Sequence, residues 1–366
     1  MDGINRHILN TAPVINKYPD CEVAVCTVFP KAEFAEALEK EDVRTFSLHA
    51  ANGHDAKIFY AFYKVMQEYK PDIIHSHVMA FYEKFLLSIF YRSKKFVLTI
   101  HGIPDKVEHE SFRLKFDRWL NNVFSIRFDA TCYISNGVRE QLAKDKNLQN
   151  IYTIYNPLHF YDVKAKEYKI HKLIGVPEET IIIGTCCRFA TVKNPEMFTR
   201  VMCKVLQEKE HVHAVILGDG DEAIKQHMKS IIAEANVSER FHLLGYRKDA
   251  SELIRDFNCF VMTSTSEGLP TSILEAMNCR TPFAMMEGNG GLKDLAEIHR
   301  SEGPIGIVEP PSDVETLANK ICNLIDKPEY ARVISDKAFE IGRHYFDVEN
   351  VCKHLHQVYK NIMKQR

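Results

Sequence analysis

The chain has 366 residues, 45% apolar and 26% charged, which is enough for two globular domains with substantial cores. Its formal net charge of −2 excludes a nucleic-acid binder driven by bulk electrostatics. Ten cysteines show neither a CxxC pair nor a metal-ligand spacing, so free thiols in a reducing cytosol are expected rather than a disulfide framework or a zinc site. No run reaches the ~18 apolar residues of a membrane span. The start, Met1-Asp2-Gly3-Ile4-Asn5-Arg6-His7, lacks an apolar signal core, and the expected location is cytoplasmic.

Strand-like and helix-like segments alternate along the chain. Strands are expected at 22–29, 43–48, 72–75, 96–100, 130–134 and 150–155, and helices between them at 5–16, 56–69, 81–90, 111–124 and 137–145. Asn156-Pro157 breaks the pattern, and a polar stretch follows. The alternation then restarts with strands at 181–186, 214–217, 241–244, 259–262, 282–285 and 305–308. Helices are expected at 196–207, 221–235, around Glu275, and at 312–325, 329–343 and 348–364. This is an α/β chain of two doubly wound, Rossmann-like domains facing a cleft, with ligands beyond the carboxyl ends of the strands. The expected divisions are a first domain at 1–156, a linker at 157–170, a second domain at 171–343 and a last helix at 344–366. The first domain opens on Gly3 and a helix, without the strand that usually precedes them.

The most informative stretch is Thr265-Ser266-Glu267-Gly268-Leu269-Pro270-Thr271-Ser272-Ile273-Leu274-Glu275-Ala276-Met277, which follows the buried strand at 259–262. Pro270 suits the first helical position, with Gly268 just ahead of it. A strand-to-helix turn aims free N–H groups and a positive dipole end at an anion, usually phosphate. Glu267 and Glu275 flank that point and can accept hydrogen bonds from sugar hydroxyls. Phosphate with hydroxyls on either side describes a nucleotide sugar.

Other strand ends supply counterparts. Arg188 and Lys193 follow the strand at 181–186, where two cations would clamp a diphosphate leaving group as its charge grows. Leu217-Gly218-Asp219-Gly220-Asp221 looks like a DxD metal motif, but its glycines suit a tight turn and Asp221 a helix N-cap. His101 stands just past a strand end, where an imidazole would face a cleft. His75-Ser76-His77 offers two imidazoles to a zinc ion, but no third ligand accompanies them. Ser135-Asn136-Gly137 is expected to cap the following helix. The segment 287–291 reads either as a mobile connection or as backbone approaching a ligand. The basic and aromatic stretches at 84–95 and 112–120 suit core packing, with peripheral membrane-surface contact as the alternative.

Taken together, these residues resemble the retaining GT-B glycosyltransferases of family GT4, the glycosyl transferases group 1, over nearly the whole chain. Glu267 and Glu275 look like the family's E-x7-E motif, and Arg188 and Lys193 like its diphosphate-binding pair. Gly218 lies in a segment like its glycine turn, and His101 resembles its histidine near the reacting sugar. Asn156-Pro157 resembles its hinge, and the last helix would cross back to the first domain. Gly3 with Asn5-Arg6-His7 looks like the end of its N-terminal Gly-Gly loop.

The resemblance implies transfer from a nucleotide-diphosphate sugar, with a UDP-sugar favoured, to a glycan or lipid-linked acceptor in surface polysaccharide biosynthesis. Configuration would be retained, and no cofactor or metal would be required. Glu275 would hold the ribose, Glu267 the donor sugar, and the backbone of Gly268, Leu269, Pro270 and Thr271 the phosphate or sugar. Two other classes compete. A sugar-nucleotide epimerase of the same fold would change the sugar without a second substrate. A non-catalytic truncated homologue would act as a binding partner.

Overall fold

The computed structural model describes residues 3–50, 57–77, 94–102, 128–143, 150–162 and 166–364. The helices expected at 81–90 and 111–124, with most of the basic and aromatic side chains considered for a membrane surface, lie outside them. The chain divides into two compact units, one of Met1–His159 with Val348–Arg366 and one of Phe160–Asp347. No helix among the described residues is long and apolar enough to cross a membrane.

Unit 1 begins with α1 (Gly3–Asn16), and no strand precedes it among the described residues. Its strands form two separate parallel ladders. One joins β1 (Ala24–Thr27) to β2 (Arg44–Ser47), with α2 (Ala32–Glu39) between them. The other runs β3 (Ile73–Ser76), β4 (Lys95–Ile100), β5 (Ala130–Tyr133), β6 (Ile151–Thr153) in spatial order, with α3 (Lys57–Tyr69) ahead of it and α4 (Asn136–Ala143) after β5. Ser135 caps α4, its hydroxyl accepting from the Val138 N–H at 3.1 Å.

The helix closing the chain, Val348–Lys364, buries Val351, Cys352, Leu355, Val358 and Ile362. Their spacing puts one apolar stripe on one face. That stripe shares a core with Val14 and Ile15 of α1 and with Val97, Ala130 and Cys132 of the larger sheet. Fully burying an aliphatic side chain is worth ~1.5–3 kcal/mol, so this stripe is a principal reason the last helix docks on unit 1.

Unit 2 opens with α5 (Lys169–Ile174). The buried Asp256 carboxylate accepts from the backbone N–H groups of Glu167, Tyr168 and Ile170 and so fixes the start of that helix. A six-stranded parallel sheet follows. Its strands are β7 (Ile181–Cys186), β8 (Val212–Leu217), β9 (Phe241–Leu243), β10 (Cys259–Met262), β12 (Phe283–Met286) and β14 (Ile307–Glu309); β11 (Ser266–Glu267) and β13 (Asn289–Gly290) form a small ladder of their own.

The spatial order of the large sheet is β14-β12-β10-β7-β8-β9. The chain therefore builds outward from β7 in one direction, then returns to β10 and builds the other way. The switch point lies between β7 and β10, the place where open α/β sheets bind ligands. Cys259 and Phe260 of β10 stand beside Ile183 and Gly184 of β7, so the segments leaving both strands emerge together. The crossover helices are α6 (Pro195–Glu208), α7 (Glu222–Glu234), α8 (Ala250–Leu253), α9 (Thr271–Asn278) and α10 (Gly291–Glu302), with α11 (Val314–Ile325) and α12 (Pro328–Phe346) following the last strand and closing the unit.

Candidate active site

The site is built at the carboxyl ends of β7 and β10. Beyond β7, backbone bonds pin both neighbours of Arg188: Cys187 N–H donates to Leu217 O at 3.1 Å, and Phe189 N–H to Asp219 O at 3.0 Å. Phe189 is buried, while Arg188 between them is exposed and makes no ion pair among the described residues. A 3-10 turn, Thr191–Lys193, follows. It is tied to the segment after β10, where Thr265 N–H donates to Val192 O at 2.9 Å and the Thr263 hydroxyl to Asn194 O at 2.9 Å. Asn194 then caps α6.

This bracing brings Lys193 onto Glu267. The ammonium lies 2.6 Å from each carboxylate oxygen. Only 11% of the Glu267 side chain is exposed, so the pair is screened far less than a surface ion pair. Glu275 is buried on α9. The cysteines ending β7 register both carboxylates. Burial pushes the Cys186 thiol well above its ordinary range, with Glu275 adding to the effect. Burial pushes Cys187 up to about 12, with Lys193 opposing and Glu267 adding.

The α9 N-terminus is open. No side chain caps it, and among the described residues the N–H groups of Thr271 and Ser272 have no acceptor. Pro270 stands one residue earlier than the sequence suggests, at the cap rather than in the first helical position. Its extended backbone lets its carbonyl accept from Ile273 and Leu274. The tip thus keeps donors and a positive dipole end for an anion.

The segment 287–291 is paired to its neighbours rather than left as an open connection. It carries β13, which pairs in parallel with β11 so that Glu267 stands opposite Gly290. A Cβ on Gly291 would lie 2.7 Å from Gly268 O and from Leu269 Cα, and one on Gly288 would lie 2.6 Å from Thr265 O. These glycines let the chain press against the backbone that carries Glu267. Gly291→Ala is therefore expected to destabilise unit 2 by about 1–3 kcal/mol and lower its melting temperature by several degrees. An unchanged melting curve would show that the ladder does not brace the site.

Gly218 and Gly220 act in the same way on the other side. Added Cβ atoms would fall 1.8 Å from Cys187 O and 2.6 Å from Phe189 O. Asp219 pairs with Lys225 at 3.0 Å, and Asp221 caps α7 by accepting from Ala223 and Ile224. The apparent DxD is a structural turn that holds Arg188 in place.

A family model described as "Glycosyl transferases group 1" matches residues 167–341, and one described as "Glycosyltransferase Family 4" matches residues 1–159. The chain belongs to the family 4 glycosyltransferases. Bacillus anthracis N-acetyl-alpha-D-glucosaminyl L-malate synthase is 23% identical over 92% of this chain and 86% of its own length. The Escherichia coli UDP-Gal:alpha-D-GlcNAc-diphosphoundecaprenol alpha-1,3-galactosyltransferase is 24% identical over 64% of this chain and 63% of its own. The chain spans 60% of an uncharacterized glycosyltransferase of Methanocaldococcus jannaschii, at 21% identity. Anabaena HepE in complex with UDP-glucose shares the fold, with a TM-score of 0.78 at 19% identity over 99% of this chain and 96% of that one. The fold is GT-B, with two Rossmann-like domains.

Unit 1 of this glycosyltransferase gathers four histidines. His77 Nδ1 and His101 Nε2 are 2.9 Å apart. His7 Nδ1 meets Asn156 Oδ1 at 2.9 Å. Both nitrogens of His75 are occupied, by the Tyr359 hydroxyl at 2.6 Å and the Thr99 hydroxyl at 2.7 Å. Loss of hydration pushes His7 down to about 4 and His75 and His101 to about 3, with neighbouring imidazoles adding to the effect on His75 and His101. His77 is held well below the ordinary range for the same reason, and its three neighbours add to it.

With both its nitrogens hydrogen-bonded, His75 has no lone pair aimed at a shared metal, so the zinc reading of His75 and His77 gives way to a hydrogen-bonded cluster. Among the described residues one group has ligand atoms close enough for a metal: Asp20, Cys21 and His356. There His356 Nε2 bonds Asp20 Oδ1 at 2.8 Å, and the Lys360 ammonium lies 3.4 Å from the other oxygen. That cation already supplies the positive charge.

The structure thus brings Lys193 and Glu267 into contact, buries Glu275 on α9, and lays the Gly218 backbone on Cys187. His101 belongs to unit 1. Sequence reading missed His7, Thr99, Asn156 and Tyr359 as partners of the histidines. The one available signal was that β3 and β4, parallel neighbours, both end in histidine-bearing segments.

Proposed function

We propose that this glycosyltransferase moves a sugar from a UDP-sugar, with retention of configuration, to a glycan or lipid-linked acceptor in surface polysaccharide biosynthesis at the cytoplasmic face of a membrane. The observation that carries the donor side is the Lys193–Glu267 pair at the switch point, next to the uncapped start of α9.

In this reading the diphosphate sits on the Thr271 and Ser272 N–H groups. A lysine ammonium has three donors. Two face Glu267, leaving the third for a phosphate oxygen, so Lys193 can serve the leaving group while still orienting Glu267 toward the donor sugar. Arg188, exposed and without an ion pair among the described residues, adds the second cation. Both stabilise charge that grows as the glycosyl bond breaks. Glu275 holds the ribose, and His101 serves the transferred sugar. A leaving-group oxygen takes the acceptor hydroxyl's proton, so the step needs no metal.

Two similarities support the donor and acceptor classes. The E. coli relative's name specifies UDP-galactose and a diphosphoundecaprenol acceptor, and HepE was crystallised with UDP-glucose. The deciding experiment is calorimetric titration of UDP-, GDP- and ADP-sugars into the wild type and Glu275→Ala. UDP-sugar binding that weakens by about tenfold or more in the variant is expected, since a bidentate ribose contact is worth roughly 1.5–3 kcal/mol. Unchanged affinity and transfer would remove Glu275 from the site. Proton spectra of the product's anomeric centre test retention.

A further inference from the structure

We propose that His77 is the positioning residue of His101, holding its ring in one orientation and in one tautomer. This rests on the reading that His101 serves the transferred sugar.

The argument starts from the hydrogen-bond inventory. A neutral imidazole carries one N–H and one lone pair, and the bond at one nitrogen decides what the other presents. His77 Nδ1 and His101 Nε2 lie 2.9 Å apart, so one of them donates and the other accepts. That contact ties the state of His101 Nε2, and with it that of His101 Nδ1, to the state of His77. Nδ1 is buried and has no partner among the described residues. An orphaned buried nitrogen costs about 1–3 kcal/mol, a cost that a ligand hydroxyl placed there would recover. His101 therefore holds one nitrogen on His77 and keeps the other available.

His77 is itself immobilised. Its ring stacks on His75 with centroids 4.4 Å apart and planes 26° from parallel. His75 cannot turn, because Tyr359 and Thr99 hold both its nitrogens. His7 packs against His77 and His101 with centroids 5.1 Å from each, and is fixed by Asn156. Orientation is thus relayed from the last helix through Tyr359, His75 and His77 to His101. Both ends of that relay lie in unit 1.

The test compares His77→Ala, His77→Asn and His101→Ala in steady-state transfer, with 15N spectra of the histidine rings. Partners that orient metal-bound imidazoles contribute roughly tenfold to hundredfold in function. By that measure His77→Ala is expected to lower kcat about tenfold or more, with donor KM within about twofold. His77→Asn, whose amide stands near the lost Nδ1, is expected to recover part of that loss. Wild-type His101 should show a single tautomer, and His77→Ala a mixture. Titrated UDP should bind all three variants as it binds the wild type. If His101→Ala impairs transfer while His77→Ala keeps full kcat, the positioning role is wrong and the reading of His101 survives. If His101→Ala transfers normally, that reading itself fails. A tautomer mixture in the folded wild type overturns the proposal even if a variant cannot be purified.

Discussion

Lys193→Ala is expected to cut glycosyl transfer by roughly 10²–10³, the scale of losing one preorganised charge from a site where negative charge develops. Glu267→Ala should show a loss of similar size. Such losses have a second explanation that must be separated from the first. Only 26% of Lys193 and 11% of Glu267 is exposed, so removing one partner strands a charge in a poorly hydrated place. Breaking a buried pair in this way costs about 3–5 kcal/mol. Either single variant could lose activity simply because unit 2 loosens.

The double variant Lys193→Ala/Glu267→Ala resolves this. Without either charge, most of the stability should return, since replacing both partners of a buried pair is often close to neutral. Turnover should stay as low as in the worse single variant, because both the diphosphate cation and the donor-sugar carboxylate are gone. Chemical denaturation and steady-state transfer on all three proteins form a double-mutant cycle. A double variant that regains both stability and near wild-type kcat would make the pair a structural brace.

How far the site could be read from sequence depends on the range of the contacts. The strands at 181–186 and 259–262 are visible at their observed limits, because both are short apolar runs closed by polar loop residues. Glu267 and Glu275 could be recognised because their spacing along one segment is itself the signal. The bond between Lys193 and Glu267 could not. It depends on β7 and β10 lying side by side, a consequence of strand order that no local spacing encodes.

The histidines were obscured for the same reason: His7, His75, His77 and His101 meet only when α1, β3 and β4 are assembled. Four helices escaped, Lys169–Ile174 and Ala250–Leu253 because they are short and two others for local reasons of sequence. Ala32–Glu39 buries only Phe34 and Leu38, too few apolar positions to reveal a helical period. Gly291–Glu302 buries Leu292, Leu295, Ala296 and Ile298 at helical spacing, but the glycine run before it reads as a loop. Those glycines are required by the close backbone approach at Gly268 and Leu269, a tertiary contact.

Acid should unfold unit 1 well before carboxylate protonation alone would do so. His7, held at about 4, and His75 and His101, at about 3, are neutral in the folded chain, and His77 is held low as well. In the unfolded chain each returns to about 6.5. The unfolded state therefore binds more protons below that value, and stability falls as pH falls. The contribution is complete above pH ~6.5 and drains away down to the folded values near 3–4, at up to about 1.4 kcal/mol per ring per pH unit. By pH 5 His7, His75 and His101 each cost up to about 2 kcal/mol, a large fraction of the stability of an ordinary domain, and His77 adds in the same direction. Hydrogen exchange resolved by peptide should show unit 1 losing protection between pH 6.5 and 4.5. His7→Gln keeps an amide for Asn156 but does not titrate, and should move the midpoint to lower pH. Protection in unit 1 that stays flat down to pH 4.5, or a midpoint indifferent to His7→Gln, would mean that the imidazoles are hydrated in solution and that the cluster is not the closed network on which His77 and His101 depend.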